Sequence, residues 1–135
     1  MPQTDADSVK VIIDTNGLMV AEQFGVDIFG ELLRLGYIEW LVPAQVIGEL
    51  RSLAEGADKG RDKTAARVAL GLAERCRVVG IDNCPADQAI LELAEKECAA
   101  VFTNDKALKK RLFTKGITVI YLRQGRYLEA MKKEY

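Results

Sequence analysis

The sequence predicts an α/β fold, a three-layer α/β/α sandwich around a central parallel sheet of five strands. Three observations carry that reading. Five short apolar runs rich in Val and Ile recur along the chain, stretches of helical periodicity separate them, and Gly or Pro stand at the joints.

Residues 9–13 (VKVII) form the first strand, and 16–35 is long enough for two helices before Gly36 stops them. Residues 38–42 (IEWLV) form the second strand. Pro43 follows at once, where a helix over 43–55 accepts proline in its first turn. The segment 56–60 (GADKG) breaks that helix from one over 61–76. A third strand over 77–81 (RVVGI), a helix over 86–98, a fourth strand over 99–103 (AAVFT), a helix over 105–115, a stop at Gly116 and a fifth strand over 117–122 (ITVIYL) complete the alternation. Residues 126–135 are expected to close the domain as a short helix. No repeat, linker or low-complexity segment interrupts the pattern. With 135 residues, 49% of them hydrophobic, residues 1–135 are expected to make one domain around one core.

Composition excludes several classes. No apolar run approaches the roughly 20 residues of a membrane span, and the start MPQTDADSVK lacks the regions of a signal peptide. A soluble, cytoplasmic protein with no membrane partner is expected. Three cysteines, no CxxC pair and no histidine leave a zinc site with too few ligands. Cys98 falls on an apolar helix face and is expected to pack in the core. The net charge of −1 hides a gradient: residues 1–50 carry two basic and eight acidic side chains, residues 104–135 nine and three. A polyanionic partner is compatible with that basic end, as is an ordinary solvated helix.

Four acids stand out by placement. Asp14 and Asp105 follow apolar strands, at the carboxyl edge where open parallel sheets bind ligands. Either one alone is better explained as an Asx turn or a helix N-cap. At ~100° per residue, Ile90, Leu91, Ala94 and Cys98 form a stripe with Asp87 near its middle, in a first turn that favours negative charge. Glu49 lies about 40° outside the stripe of Val46, Ile47, Leu50, Leu53 and Ala54, at the rim of the core. Four converging carboxylates require a divalent cation, which points to metal-dependent chemistry on phosphate.

These residues resemble PIN domains, small metal-dependent ribonucleases. The resemblance runs through VIIDTNGLM at 11–19, PAQVIGELRSL at 43–53, ADQAILELA at 86–94, VFTNDKALKKRL at 101–112 and GITVIYLRQ at 116–124. It implies a PIN-like fold and places the family's acidic tetrad, catalytic and metal-binding, on Asp14, Glu49, Asp87 and Asp105, with Asn16 and Thr103 as supporting polar positions. The implied cofactor is Mg2+ or Mn2+, one or two ions. Gln88 and Lys106 stand where many members carry a further acid, which implies one ion held firmly and a second recruited with substrate phosphate.

The implied reaction is hydrolysis of an RNA phosphodiester by metal-activated water with departure of the ribose 3′ oxygen. Glu49 serves either as ligand or to orient the water. The absence of histidine rules out histidine-dependent acid–base cleavage. Crowded carboxylates should raise one another's pKa and weaken metal binding in mild acid. RNA contact is expected from Arg51, Lys59, Arg61 and Lys63 around the 56–60 break and from Lys106, Lys109, Lys110 and Arg111 after Asp105, although solubility accounts for such residues as well. Trp40 and Tyr37 are expected in the core rather than stacked on bases.

The branch most resembled is the stand-alone domains related to ribosomal RNA processing factors, with VapC-like toxins of toxin–antitoxin pairs as the rival. The partners implied are RNA and either a pre-ribosomal particle or an antitoxin, and related domains often dimerise, so a homodimer is expected. Outside nucleases, a catalytically silent RNA-binding module and another magnesium-dependent phosphate enzyme stay open. Against the latter, Asn16 stands where a phosphatase motif needs a second aspartate.

Overall fold

The structure is a computed structural model that describes residues 9–56, 60–80 and 83–131. In chain order it runs β1 (Lys10–Ile13), α1 (Thr15–Phe24), α2 (Ile28–Arg34), β2 (Glu39–Pro43), α3 (Ala44–Glu55), α4 (Gly60–Ala73), β3 (Arg77–Val79), α5 (Ala86–Glu97), β4 (Ala100–Phe102), α6 (Lys106–Thr114), β5 (Val119–Arg123) and β6 (Tyr127–Met131). The sheet order is β3-β2-β1-β4-β5-β6. The first five strands are parallel, as expected, and β6 is antiparallel to β5.

Right-handed crossovers place the helices after β1 and β2 on one face, and α5 and α6 on the other. α4 packs on α1 and α3, while α5 covers β1, β2 and β4. The core lies between these layers. Ile12, Ile13, Leu41, Val101 and Phe102 are inaccessible or nearly so, and Leu50, Leu93 and Leu112 close over them from the helices.

β1 is the centre of the sheet. The chain leaves β1 toward one face and leaves its neighbour β4 toward the other, so a crevice opens between their carboxyl ends. This is the switch point at which doubly wound sheets take their ligands. Gly17 lets α1 start close against β4: a Cβ there would lie 2.9 Å from the Phe102 carbonyl oxygen and 3.0 Å from Ile13 Cγ2.

Three expectations need correction. Residues 127–131 form a strand, not part of a closing helix; residues 132–135 lie outside the described region. Gln124 and Gly125 adopt positive φ and turn the chain into a hairpin with β5. The helix formers Leu128, Glu129 and Ala130 obscured this, because pairing with β5 overrides local propensity. Cys98 is not on a buried helix face but is the left-handed C-cap of α5, half-buried, because the helix must end there to turn into β4. The helix expected over 61–76 ends at Ala73.

The outer edge of β6 is clasped by α2. Glu31 Oε1 accepts from the Leu128 N–H at 3.0 Å, and Arg34 Nη2 donates to the Leu128 carbonyl at 2.7 Å while pairing with Glu31. At the opposite end of the sheet from the crevice, Trp40 packs on Phe29 with ring centroids 4.4 Å apart and donates its indole N–H to the Tyr37 carbonyl. Both aromatics thus serve packing, as expected.

Candidate active site

Asp14 follows β1 directly and caps α1. Its Oδ1 accepts from the Gly17 N–H at 2.7 Å, and its Oδ2 accepts from the Thr103 hydroxyl at 2.5 Å. Asp105 plays the same part for α6, with Oδ1 accepting from the Leu108 N–H at 2.9 Å. Thr103, wholly buried at the end of β4, joins the two: its hydroxyl donates to Asp14 and accepts from the Asp105 N–H at 3.0 Å. Asp14 and Thr103 are two of the three buried polar residues among those described. Beside them, Asn104 Oδ1 accepts from the Leu122 N–H at 2.9 Å and continues the pairing of β5 where β4 has ended.

The other two acids come from helices that follow β2 and β3. On α3, Val46, Leu50 and Ala54 are buried and Glu49 is exposed, where its Oε1 accepts from the Thr15 hydroxyl at 2.5 Å. On α5, Ile90, Leu91 and Ala94 are buried as the stripe required. Asp87 lies in the first turn, beyond the end of the core, and its side chain is 53% exposed. Arg111 of α6 reaches across to it, Nη1 to Oδ2 4.0 Å. Glu49, Pro85, Ala86, Asp87, Gln88 and Arg111 line one open cleft of about 520 Å³.

Burial is the main influence on Asp14 and pushes its pKa up to about 7. The Thr103 and Gly17 hydrogen bonds oppose this, and the charges of Asp105 and Asp87 add to it. Mutual repulsion, the cause expected from the sequence, is thus secondary to desolvation. No cationic side chain pairs with Asp14 among the described residues.

The donor chemistry fits magnesium or manganese: four carboxylates offer hard oxygen ligands, and a buried carboxylate without a counter-charge is satisfied by a cation. The arrangement is looser than expected. Among the described residues no three acidic side chains are gathered closely enough to hold one ion. Asp87 is turned toward Arg111 and Glu49 toward Thr15, so closure on an ion requires side-chain rotation.

The remaining sequence-derived positions divide. Thr103 is at the centre, whereas Asn16 is exposed in the first turn of α1 and makes no hydrogen bond to the four acids. Arg51 lines a separate groove with Ile47, Leu70 and Val78. Lys63 is near Gly60 and Thr64, which line a groove with Glu22 and Phe24 at the end of α1 remote from Asp14. Lys59 and the side chain of Arg61 lie outside the described residues. On α6, Lys106 and Lys110 are exposed, and Lys109 holds its ammonium 5.2 Å over the Tyr121 ring. Thr15 is the contact that sequence reasoning missed. Its signal was present, since a hydroxyl beside a strand-end carboxylate at a helix start is placed to reach a neighbouring helix.

A family model described as a PIN like domain matches residues 11–125. Ribonuclease VapC9 of Archaeoglobus fulgidus is 37% identical over 115 residues, 85% of this chain and 84% of that protein. Ribonuclease VapC4 of Methanocaldococcus jannaschii is 33% identical over 124 residues, 89% and 95% of the two chains. The structure of the PIN domain endonuclease Utp24 aligns with a TM-score of 0.75 at 27% identity, covering 95% of this chain and 99% of that one. A domain of a functionally unknown Methanocaldococcus jannaschii protein, with a TM-score of 0.55 and 20% identity, shares the fold alone.

Proposed function

The chain belongs to the PIN-like domain family, matching ribonucleases over most of its length, and on that premise we propose that it is a metal-dependent endoribonuclease. The observation that carries the proposal is the Asp14–Thr103–Asp105 link across the ends of β1 and β4, at the switch point of the sheet. It brings two strand-end carboxylates together where a ligand has access.

Asp14, Asp87 and Asp105 would hold Mg2+ or Mn2+, one ion at rest and a second with substrate, and Glu49 would serve as ligand or water-orienting group. A bound ion supplies positive charge to the phosphate and lowers the pKa of water. The protein's own part is positional. The Thr103 hydroxyl and Gly17 N–H fix both oxygens of Asp14, and the Leu108 N–H fixes Oδ1 of Asp105 and leaves Oδ2 available. Thr15 holds Glu49 on the wall of the cleft that Asp87 shares. A water oriented there would form the new bond to phosphorus as the bond to the ribose 3′ oxygen breaks, and the proton the water loses would end on that departing oxygen.

The role we propose is RNA maturation, including ribosomal RNA processing, in the cytoplasm. The likeness to the PIN domain endonuclease Utp24 over nearly the full length of both chains supports the endonuclease activity on which this role depends. The rival toxin role, with an antitoxin as partner, is favoured by the two relatives named VapC. Expression of the chain alone separates them: a toxin arrests growth, whereas a processing enzyme is tolerated and travels with pre-ribosomal particles. Activity itself is tested on labelled single-stranded and hairpin RNA with manganese or magnesium, comparing the natural chain with Asp14→Asn and Asp105→Asn. Metal-dependent cutting lost in both folded variants supports the proposal. Binding without cutting leaves a silent RNA-binding module in its place.

A further inference from the structure

Among the four cations of the 106–111 segment, one reaches the acidic cleft. Leu108 and Leu112 anchor α6 in the core, which turns Lys106 and Lys110 to solvent and lays Lys109 over Tyr121. Arg111 is on the flank toward α5 and forms a wall of the cleft with Glu49, Asp87 and Gln88. Its contact with Asp87 is long, 4.0 Å, and both side chains are half exposed, at 50% and 53%. Such a pair contributes little to stability and separates at low cost. A guanidinium is also the side chain best shaped to grip a phosphate through two parallel hydrogen bonds.

We propose that Arg111 has two alternating partners: Asp87 when no ion is held, and a phosphate of the RNA strand flanking the cut bond once Asp87 has turned to an ion. The inference rests on the nuclease reading and deepens it. Arg111 acts as a place-holder that keeps Asp87 from being left unpaired, and loading the site releases it for substrate. Ion binding and RNA binding are thereby coupled through one side chain. Because the Arg111 side chain is half exposed and its one ion pair is long, its replacement is a mild perturbation of the fold, and melting curves of the variants check this.

The experiment compares the natural chain with Arg111→Gln and Arg111→Lys. Titration calorimetry with manganese alone, in the absence of RNA, is expected to show tighter binding by Arg111→Gln, up to about five-fold, because the competing partner of Asp87 is gone. An unchanged titration overturns the exchange. In steady-state cleavage of a labelled hairpin RNA, Arg111→Gln is expected to raise KM several-fold with kcat little changed, and to lower the salt slope of kcat/KM by about one. Arg111→Lys keeps the slope and recovers part of the KM. If the natural chain cuts and Arg111→Gln matches it in KM and slope, the phosphate role is wrong while the nuclease reading stands. If the natural chain does not cut, the nuclease reading falls, and the manganese titration still decides the exchange at Asp87 by itself.

Discussion

Thr103 Oγ1 stands 2.5 Å from Asp14 Oδ2, a hydrogen bond between residues at the ends of adjacent parallel strands that is wholly buried. The same hydroxyl accepts from the Asp105 N–H, so one oxygen fixes the relative positions of two carboxylates 91 residues apart in the chain. Thr103→Val keeps the shape and removes the bridge. It is expected to cost about 1–3 kcal/mol in chemical denaturation and to weaken metal affinity about 10–100-fold, with Thr103→Ser close to the natural chain. Equal manganese affinity in the valine and serine variants would argue against the bridge as a positioning device.

The raised pKa of Asp14 makes stability depend on pH with a defined sign. Unfolded, the carboxyl titrates near 3.8; folded, near 7. Between these values the folded chain holds a proton that the unfolded chain has released, so stability falls as pH rises through the window and levels off above it. Chelator-treated protein should therefore melt at a higher temperature at pH 5 than at pH 8. Asp14→Asn should flatten that difference and raise the melting temperature at pH 8. A natural chain that is steadily more stable up to pH 8 would contradict the assignment.

The same titration limits activity from the acid side. Asp14 must lose its proton to bind an ion, so manganese affinity and cutting should both decline as pH drops below about 7. Calorimetry at pH 6 and pH 8 checks the binding arm independently of turnover.

Gly17 permits the close approach of α1 to β4. Gly17→Ala places a methyl against the Phe102 carbonyl oxygen and is expected to destabilise by about 1–3 kcal/mol. It should also lower activity, because the amide that fixes Asp14 Oδ1 belongs to the displaced residue. Full activity at unchanged stability would show that the helix start has slack the contact distances do not suggest.

Thr15 holds Glu49 from an exposed position, so its loss should be milder. Thr15→Val is expected to reduce cutting several-fold without a measurable change in melting temperature. In a Glu49→Gln background the same substitution should have no further effect, since the two act as one unit.

The parallel strands and the two strand-end aspartates were legible because their signals are local: an apolar run, then a carboxylate, then a helix start. Asp87 was placed on the right helix face but not at the right depth. Periodicity fixes an angle around the axis, whereas burial depends on how far the first turn projects past the sheet. Arg51 was expected among the RNA contacts around the 56–60 break, yet α3 carries it into a groove apart from the acids. The hairpin to β6 was missed because its residues favour a helix locally, and only the partner strand decides otherwise. The hydroxyl bridges through Thr103 and Thr15 depend on which strands and helices become neighbours, and the linear order holds little of that.

The clasp of Glu31 and Arg34 on Leu128 reaches beyond β6 itself. A sheet's last strand ordinarily offers unmatched amide and carbonyl groups to any extended chain that drifts alongside, and here both groups of Leu128 are already taken by side chains from α2. A visiting strand would have to evict an ion pair before forming ladder bonds at Leu128. Self-association by extending the sheet past β6 is thus hindered at Leu128, the residue a new strand would pair with near the middle of that edge.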